Sequence, residues 1–202
     1  DKLMADKSGG SFILRLEDTD GKREITGAGQ IAYEGLVNFG LTPDEGYRGD
    51  NLDEIGEYGP YVQSERFDLY KKYAEELVAK GQAYYCFCDE ERLERIRALQ
   101  TKNKMAPGYD RNCRHLTEEE IKENMDAGKP YVIRLKVPME GETQFHDALL
   151  GDITWKNEDV SPDPVLLKTD GFPTYHLANI VDDHFMKISN VMRAQEWIPS
   201  TP

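Results

Sequence analysis

Cysteine is scarce in this chain, with three in 202 residues. So small and odd a number leaves no room for a disulfide framework and fits a reducing compartment. Long apolar runs are missing too. None approaches the roughly 18 residues that a membrane-spanning helix needs, so no membrane partner is expected. The opening Asp1-Lys2-Leu3-Met4 has charge but no apolar core, so it does not read as a secretory signal. The expected location is the cytoplasm. Basic residues are outnumbered 25 to 38, for a net charge of −13, which argues against a general nucleic-acid coat. There is no Walker A loop, internal repeat or low-complexity stretch. What remains is 39% hydrophobic and 31% charged, enough for one large domain or two small ones.

The few cysteines form one pattern. Cys86-Phe87-Cys88 is followed, after 24 residues, by Cys113-Arg114-His115. Three buried cysteines with a surface histidine would produce the same letters. However, two pairs with one residue between the members use every thiol and make a closed Cys3His set for a structural Zn2+: Cys86, Cys88, Cys113 and His115. In a strand, residues i and i+2 face the same side, so Cys86 and Cys88 can both point at one ion. Basic residues crowd the interval. Arg92, Arg95, Arg97, Lys102, Lys104, Arg111 and Arg114 stand against Glu94 and Asp110, for a local net charge of +5. A basic helix is often only a solvated face, but on a metal-braced element it can position phosphates without reading sequence.

Periodicity sets the elements. Ser11–Leu16 predicts a buried strand ending in the acidic loop Glu17-Asp18-Thr19-Asp20-Gly21. Ala28–Phe39 predicts a helix with Ala28, Ile31, Ala32, Leu36 and Phe39 inward. Glu65–Lys80 predicts the clearest helix, capped by Ser64 and stopped at Gly81. Ala83–Cys88 predicts a strand, and Asp89 opens a basic helix with Leu93, Ile96 and Leu99 inward. Thr117-Glu118-Glu119-Glu120 predicts a capping box and a short helix that ends before Gly128. Strands are expected at 131–137, near 143–147 and 152–156, and at 165–169. Tyr175–Val181 is an apolar stretch leading to Asp182-Asp183-His184. The order is α/β, then mixed α+β, then α/β again.

Glu17, Asp18 and Asp20 follow a buried strand, where ligands collect in open α/β folds, and a carboxylate there can hold an ammonium. A solvated acidic turn is the competing reading. Gly27-Ala28-Gly29-Gln30-Ile31-Ala32 matches the spacing of a dinucleotide loop, but polar residues 20–26 precede it and no strand runs into the first glycine. Tyr175, Asn179 and Arg193 are residue types that together bind a carboxylate, with the arginine supplying a planar fork.

Taken in order, several stretches resemble those of bacterial-type glutamyl-tRNA synthetases of class I. They are Phe12-Ile13-Leu14-Arg15-Leu16-Glu17-Asp18-Thr19-Asp20, Gln63-Ser64-Glu65-Arg66, the cysteine set and Ile133-Arg134-Leu135-Lys136-Val137-Pro138. Asp170-Gly171-Phe172-Pro173-Thr174-Tyr175-His176-Leu177-Ala178-Asn179 and Arg193-Ala194-Gln195-Glu196-Trp197 complete the series. The resemblance implies a Rossmann-type catalytic domain (1–83) interrupted by a zinc-containing α+β insertion for the tRNA acceptor stem (84–172) and resumed at 173–202. It implies a monomer that joins L-glutamate to tRNA(Glu) through glutamyl-adenylate, with ATP and Mg2+ as substrate. Glu17 would hold the glutamate ammonium. Arg193 would pair with a substrate carboxylate beside Tyr175 and Asn179, and Glu196 and Trp197 would face ATP. Arg92, Arg95, Lys102, Lys104, Arg111 and Arg114 would meet the tRNA. The His-Ile-Gly-His-type and Lys-Met-Ser-Lys-Ser-type motifs of class I do not occur here. The expectation is that both ends are cut and that these 202 residues alone do not activate glutamate. A glutamyl-queuosine tRNA synthetase, or a zinc-braced RNA-binding module without catalysis, would share much of this pattern.

Overall fold

A computed structural model describes residues 1–19 and 27–202. Asp20 and Gly21 of the acidic loop, and the polar run before Gly27, lie outside the described residues. The chain divides into two compact units, residues 1–70 with 178–192 and residues 71–177 with 193–202.

The first unit is built on parallel strands. β1 (Ile13–Leu14) pairs in parallel with β2 (Glu45–Gly46), and Leu16 bridges in parallel to Val62. The regular strand is shorter than the expected 11–16. Extended pairing nevertheless continues to Leu16, whose N–H reaches the Tyr61 carbonyl and whose carbonyl accepts from Gln63. Gly46 is required at its position: at φ 116 a Cβ would lie 2.1 Å from the Leu14 carbonyl oxygen. Tyr47, Tyr61 and Met186 form the core, with Ile13, Leu14 and Leu16 packed against them. α1 (Lys2–Ser8) precedes the strands and α2 (Ala28–Asn38) lies between them.

α2 forms where expected but turns the other way. Gly29 is its buried position, close to the Tyr47 hydroxyl and Leu16. Ile31 and Phe39 are exposed at 68% and 85%. Of the expected inward face, Ala28, Ile31, Ala32 and Phe39 are exposed, which corrects them, and Leu36 alone is half-buried as expected. Gly29 admits close approach, and that places Tyr33 and Leu36, one and two turns on, at the half-buried face.

α3 (Phe67–Ala79) follows a 3-10 turn, Gln63–Arg66. Ser64 lies inside that turn, so it does not cap the helix; its N–H donates to Asp18 Oδ1 at 2.8 Å. Tyr70 and Ala74 are the fully buried side chains of α3. Gly81, at φ 70, ends the helix: its N–H reaches Val78 and that of Gln82 reaches Leu77, the paired bonds of a left-handed C-terminal cap.

In the second unit, β3 (Ala83–Cys86), β4 (Val132–Leu135) and β7 (Val165–Leu167) make an antiparallel sheet in the order β3-β4-β7. α4 (Glu90–Lys102) is capped by Asp89, whose Oδ1 accepts the Arg92 N–H at 2.8 Å. Leu93 and Ile96 are half-buried, but Leu99 is 53% exposed, which corrects its expected inward position. α5 (Glu118–Asp126) carries the full capping box between Thr117 and Glu120. Thr117→Ala should lower the unfolding free energy of this unit by about 1 kcal/mol. Urea denaturation followed by far-UV circular dichroism checks this, and no shift in midpoint would refute it. β5 (Glu142–Asp147) and β6 (Gly151–Lys156) form a separate hairpin with Phe145 stacked on Trp155 at 5.8 Å. α6 (Tyr175–Phe185) occupies the apolar stretch. Residues 195–200 form a 3-10 helix.

Candidate active site and metal centre

β1 ends at the first candidate carboxylate. Arg15 Nη2 donates to Glu17 Oε1 at 3.0 Å and its Nη1 donates to Asp183 Oδ1 at 2.9 Å. Burial works to discharge the Arg15 guanidinium, but the bonds to Asp183 and Glu17 outweigh it and raise its pKa. Glu17 keeps 45% of its side chain exposed, so an ammonium can reach the same carboxylate.

Behind this pair lies Asp182, fully buried. Its carboxylate accepts from Arg66 Nε at 2.8 Å, Gln63 Nε2 at 2.8 Å and the Tyr70 hydroxyl at 2.8 Å. Burial and the neighbouring carboxylate push the Tyr70 phenol far up, so it stays a donor. Arg66 also donates to the carbonyls of Tyr58 and Pro60. The Gln63–Arg66 stretch is thus tied to the end of α6. Sequence reading placed none of these residues in a network, because no local signal links positions 112 to 119 apart.

Asn179 is buried, and among the described residues its Oδ1 has no hydrogen-bond partner. A buried orphan acceptor is uncommon and points to a missing donor. Tyr175 is one helical turn earlier on α6. It packs against Trp197 at 4.8 Å, with the Arg193 guanidinium 5.5 Å from its ring centre. Tyr175, Arg193 and Trp197 are therefore brought together; Glu196 is exposed beside them in sequence. Glu17 and Asn179 belong to the first unit, Tyr175 and Arg193 to the second.

The thiols converge as the spacing implied. The ligand atoms of Cys86, Cys88 and Cys113 all lie within 4.8 Å of one another, and the sulfurs of Cys88 and Cys113 are 3.5 Å apart. A tetrahedral set at about 2.3 Å from Zn2+ spaces its sulfurs by about 3.8 Å, so the group fits. All three cysteines are free. Contact with Cys113, then burial, pushes the Cys86 thiol up to about 12; contact with Cys86 pulls Cys113 down to about 6. One of the pair thus gives up its proton readily, as a metal ligand must.

His115 does not join them. Cys113 and His115 sit in a turn, with the Arg114 N–H on the Arg111 carbonyl and the Leu116 N–H on that of Cys113. The two-residue alternation of a strand fails there, and His115 is exposed. Tyr109 is the residue the spacing did not reveal. Its hydroxyl oxygen accepts from Cys86 Sγ at 3.2 Å, lies 3.8 Å from Cys88 Sγ and accepts the Cys113 N–H at 3.0 Å.

Arg114 is also reassigned. It binds the buried carboxylate of Asp163 through Nη1 at 2.7 and 2.9 Å and the Val137 carbonyl through Nη2, leaving 8% of its side chain exposed. It braces the sheet and is corrected as a tRNA contact. Asp163 also accepts from the Tyr84 hydroxyl and the Val137 N–H, and Arg111 Nε lies 3.6 Å away. Arg92 is forked onto Asp110 at 2.7 and 3.0 Å. Arg95, Lys102 and Lys104 remain exposed.

The parallel α/β strands and the motifs at their ends belong to a class I synthetase catalytic domain. A family model described as "tRNA synthetases class I (E and Q), catalytic domain" matches residues 1–202, and the chain belongs to that family. It is 64% identical over 200 residues to the glutamate–tRNA ligase of Treponema denticola, covering 99% of this chain and 38% of that protein. Against the glutamate–tRNA ligase of Borrelia duttonii it is 57% identical with the same coverage. The crystal structure of glutamate-tRNA synthetase from Elizabethkingia anophelis superposes with a TM-score of 0.90 at 39% identity, over 99% of this chain and 41% of that one. A glutamate tRNA ligase from Elizabethkingia meningosepticum, crystallised in complex with its amino acid, gives 0.91 at 39% identity over 98% and 40%. The chain thus spans about two fifths of the length of the relatives it matches.

Proposed function

We propose that this chain is the part of a glutamate–tRNA ligase that selects glutamate and receives the tRNA acceptor end. The observation that carries the reading is 64% identity to a glutamate–tRNA ligase over 99% of the chain. The candidate substrate residues agree with it in chemistry. Glu17 offers a carboxylate for the substrate ammonium, Arg193 a planar cation for a substrate carboxylate, and Asn179 an unpaired acceptor. In the enzyme, a glutamate carboxylate oxygen attacks the α-phosphorus of Mg2+-bound ATP and pyrophosphate leaves; a ribose hydroxyl of the 3′ adenosine of tRNA(Glu) then attacks the glutamyl carbonyl and AMP leaves. Glu196 and Trp197 are the residues proposed to face ATP.

Residues 84–172 are proposed as the acceptor-stem insertion between catalytic segments 1–83 and 173–202. Arg95, Lys102 and Lys104 are the exposed cations proposed to meet phosphates. Cys86, Cys88 and Cys113 would hold a Zn2+ whose part is to crosslink this segment. A monomer in the cytoplasm is the proposed working state.

Glutamate-dependent ATP–pyrophosphate exchange tests the reading in two arms. The 202 residues alone should give no exchange above background, because their sequence holds neither of the two class I signature motifs. In an enzyme of the relatives' length carrying this segment, exchange should be robust, and Arg193→Gln should raise the KM for glutamate by about 100-fold, the scale of a lost charge-assisted contact. Equal activation of glutamine, or an unchanged KM, would defeat the proposal.

A further inference from the structure

We infer that Arg15 is the positioning residue of the proposed ammonium subsite: it holds the Glu17 carboxylate by one oxygen and leaves the other for the substrate ammonium. This rests on the glutamate reading above and goes beyond it by giving a role to a residue that touches no substrate.

Geometry is the first argument. Arg15 and Glu17 flank Leu16, which bridges to Val62 in extended chain, and a spacing of two puts both side chains on one side. The planar guanidinium then meets two carboxylates on separate corners. Nη2 donates to Glu17 Oε1 at 3.0 Å and Nη1 to Asp183 Oδ1 at 2.9 Å. The third corner is backed by Asp182, whose Oδ2 lies 3.7 Å from Nε. Asp182 is itself held by Arg66, Gln63 and Tyr70, so the fork rests against an anchored group. Arg15 is mostly buried and Glu17 nearly half exposed. Among the described residues, no other side chain donates to the Glu17 carboxylate. A free glutamate side chain loses rotamer freedom when a ligand arrives; a clamped one has lost it beforehand.

Charge is the second. Arg15 and Arg66 stand against Glu17, Asp182 and Asp183. Two guanidiniums facing three carboxylates leave one negative charge, which a single ammonium neutralises. Without Arg15, Glu17 and Asp183 would repel each other, and the Glu17 carboxylate would turn to water. An exposed ion pair would hold it only weakly; a fork that is mostly buried and shared with Asp183 holds it in one place.

ATP–pyrophosphate exchange by an enzyme of the relatives' length carrying this segment tests the role. Arg15→Gln should raise the KM for glutamate by about 10–100-fold, the range of a charge-assisted hydrogen bond. Its kcat should hold within about twofold, since the ammonium is bound alike in ground and transition states. Glutarate, which is glutamate without its amino group, supplies the control as a competitive inhibitor. Its Ki should not change, nor should the KM for ATP. A merely structural arginine would weaken glutamate, glutarate and ATP together and lower kcat. That result, or an unchanged KM for glutamate, would overturn the inference and leave the glutamate reading standing. Arg15→Lys keeps a positive charge among the three carboxylates and so protects the fold, but one ammonium cannot span both corners. It should show the same selective rise, by about tenfold, and a glutamate KM equal to that of the unsubstituted enzyme would refute the fork. No glutamate-dependent exchange in the unsubstituted enzyme would overturn both the reading and the inference.

Discussion

Replacing Asp182 with alanine should destabilise the first unit by about 3–5 kcal/mol, the cost of removing one partner from a buried ion pair. The carboxylate is fully buried and accepts from Arg66, Gln63 and Tyr70. Its removal leaves the Arg66 guanidinium, itself only 5% exposed, without its anion, and strands two further donors. Against a typical total of about 5–15 kcal/mol, the loss is a large share. Asp183 is the control. Its side chain is 20% exposed, and its partner Arg15 also holds Glu17. Asp183→Ala should therefore cost well under half as much, since a surviving partner and water share the charge. Urea unfolding of both variants checks the order. Equal midpoints would show that Asp182 is not the anchor the contacts describe.

Stripping the metal should have the second large effect, and a local one. Structural zinc contributes roughly 10–16 kcal/mol in small zinc-binding peptides. The core around this centre is small, with Tyr84, Cys86 and Cys113 as its buried members. With chelator at neutral pH, protease cuts should appear within residues 84–116 before any in the first unit. Cys113→Ser should reproduce the pattern without chelator. β4 and β7 lie outside that segment, so the rest of the second unit should resist longer. Unchanged cleavage, together with no zinc by elemental analysis, would remove the metal from the account.

Features written in neighbouring residues were legible in the sequence. The Thr117 box, the Gly81 stop, the hairpin strands and the convergence of three thiols all follow from local rules. The misreadings have a common cause. Ile31, Phe39 and Leu99 fit an apolar stripe, yet which face turns inward is decided by a distant neighbour such as Tyr47 at Gly29. His115 shares the one-residue spacing of the other pair, but it sits exposed in a turn and outside the thiol group. Arg114 was counted by charge, but its partner Asp163 is 49 positions away. Tyr109 carried no motif at all; only the folded chain brings its hydroxyl to the thiols. Of the proposed glutamate site, the residue types were readable, while the Arg15 clamp on Glu17 and the orphan oxygen of Asn179 were not.

The anchoring of Asp182 also bears on how the chain is made. Tyr70 and Asp182 are 112 positions apart, and the whole of residues 71–177 lies between the two pieces of the first unit. A ribosome delivers residues in order, at roughly 5–20 per second. The early strands must therefore wait at least several seconds for the aspartate that locks them, with Arg66, Gln63 and Tyr70 meanwhile unpaired. Over the same interval the sheet of the second unit can close, since all of its strands have already emerged. The element that is first in sequence is thus the last to be secured, and its half-built edge is what a nascent-chain chaperone would meet.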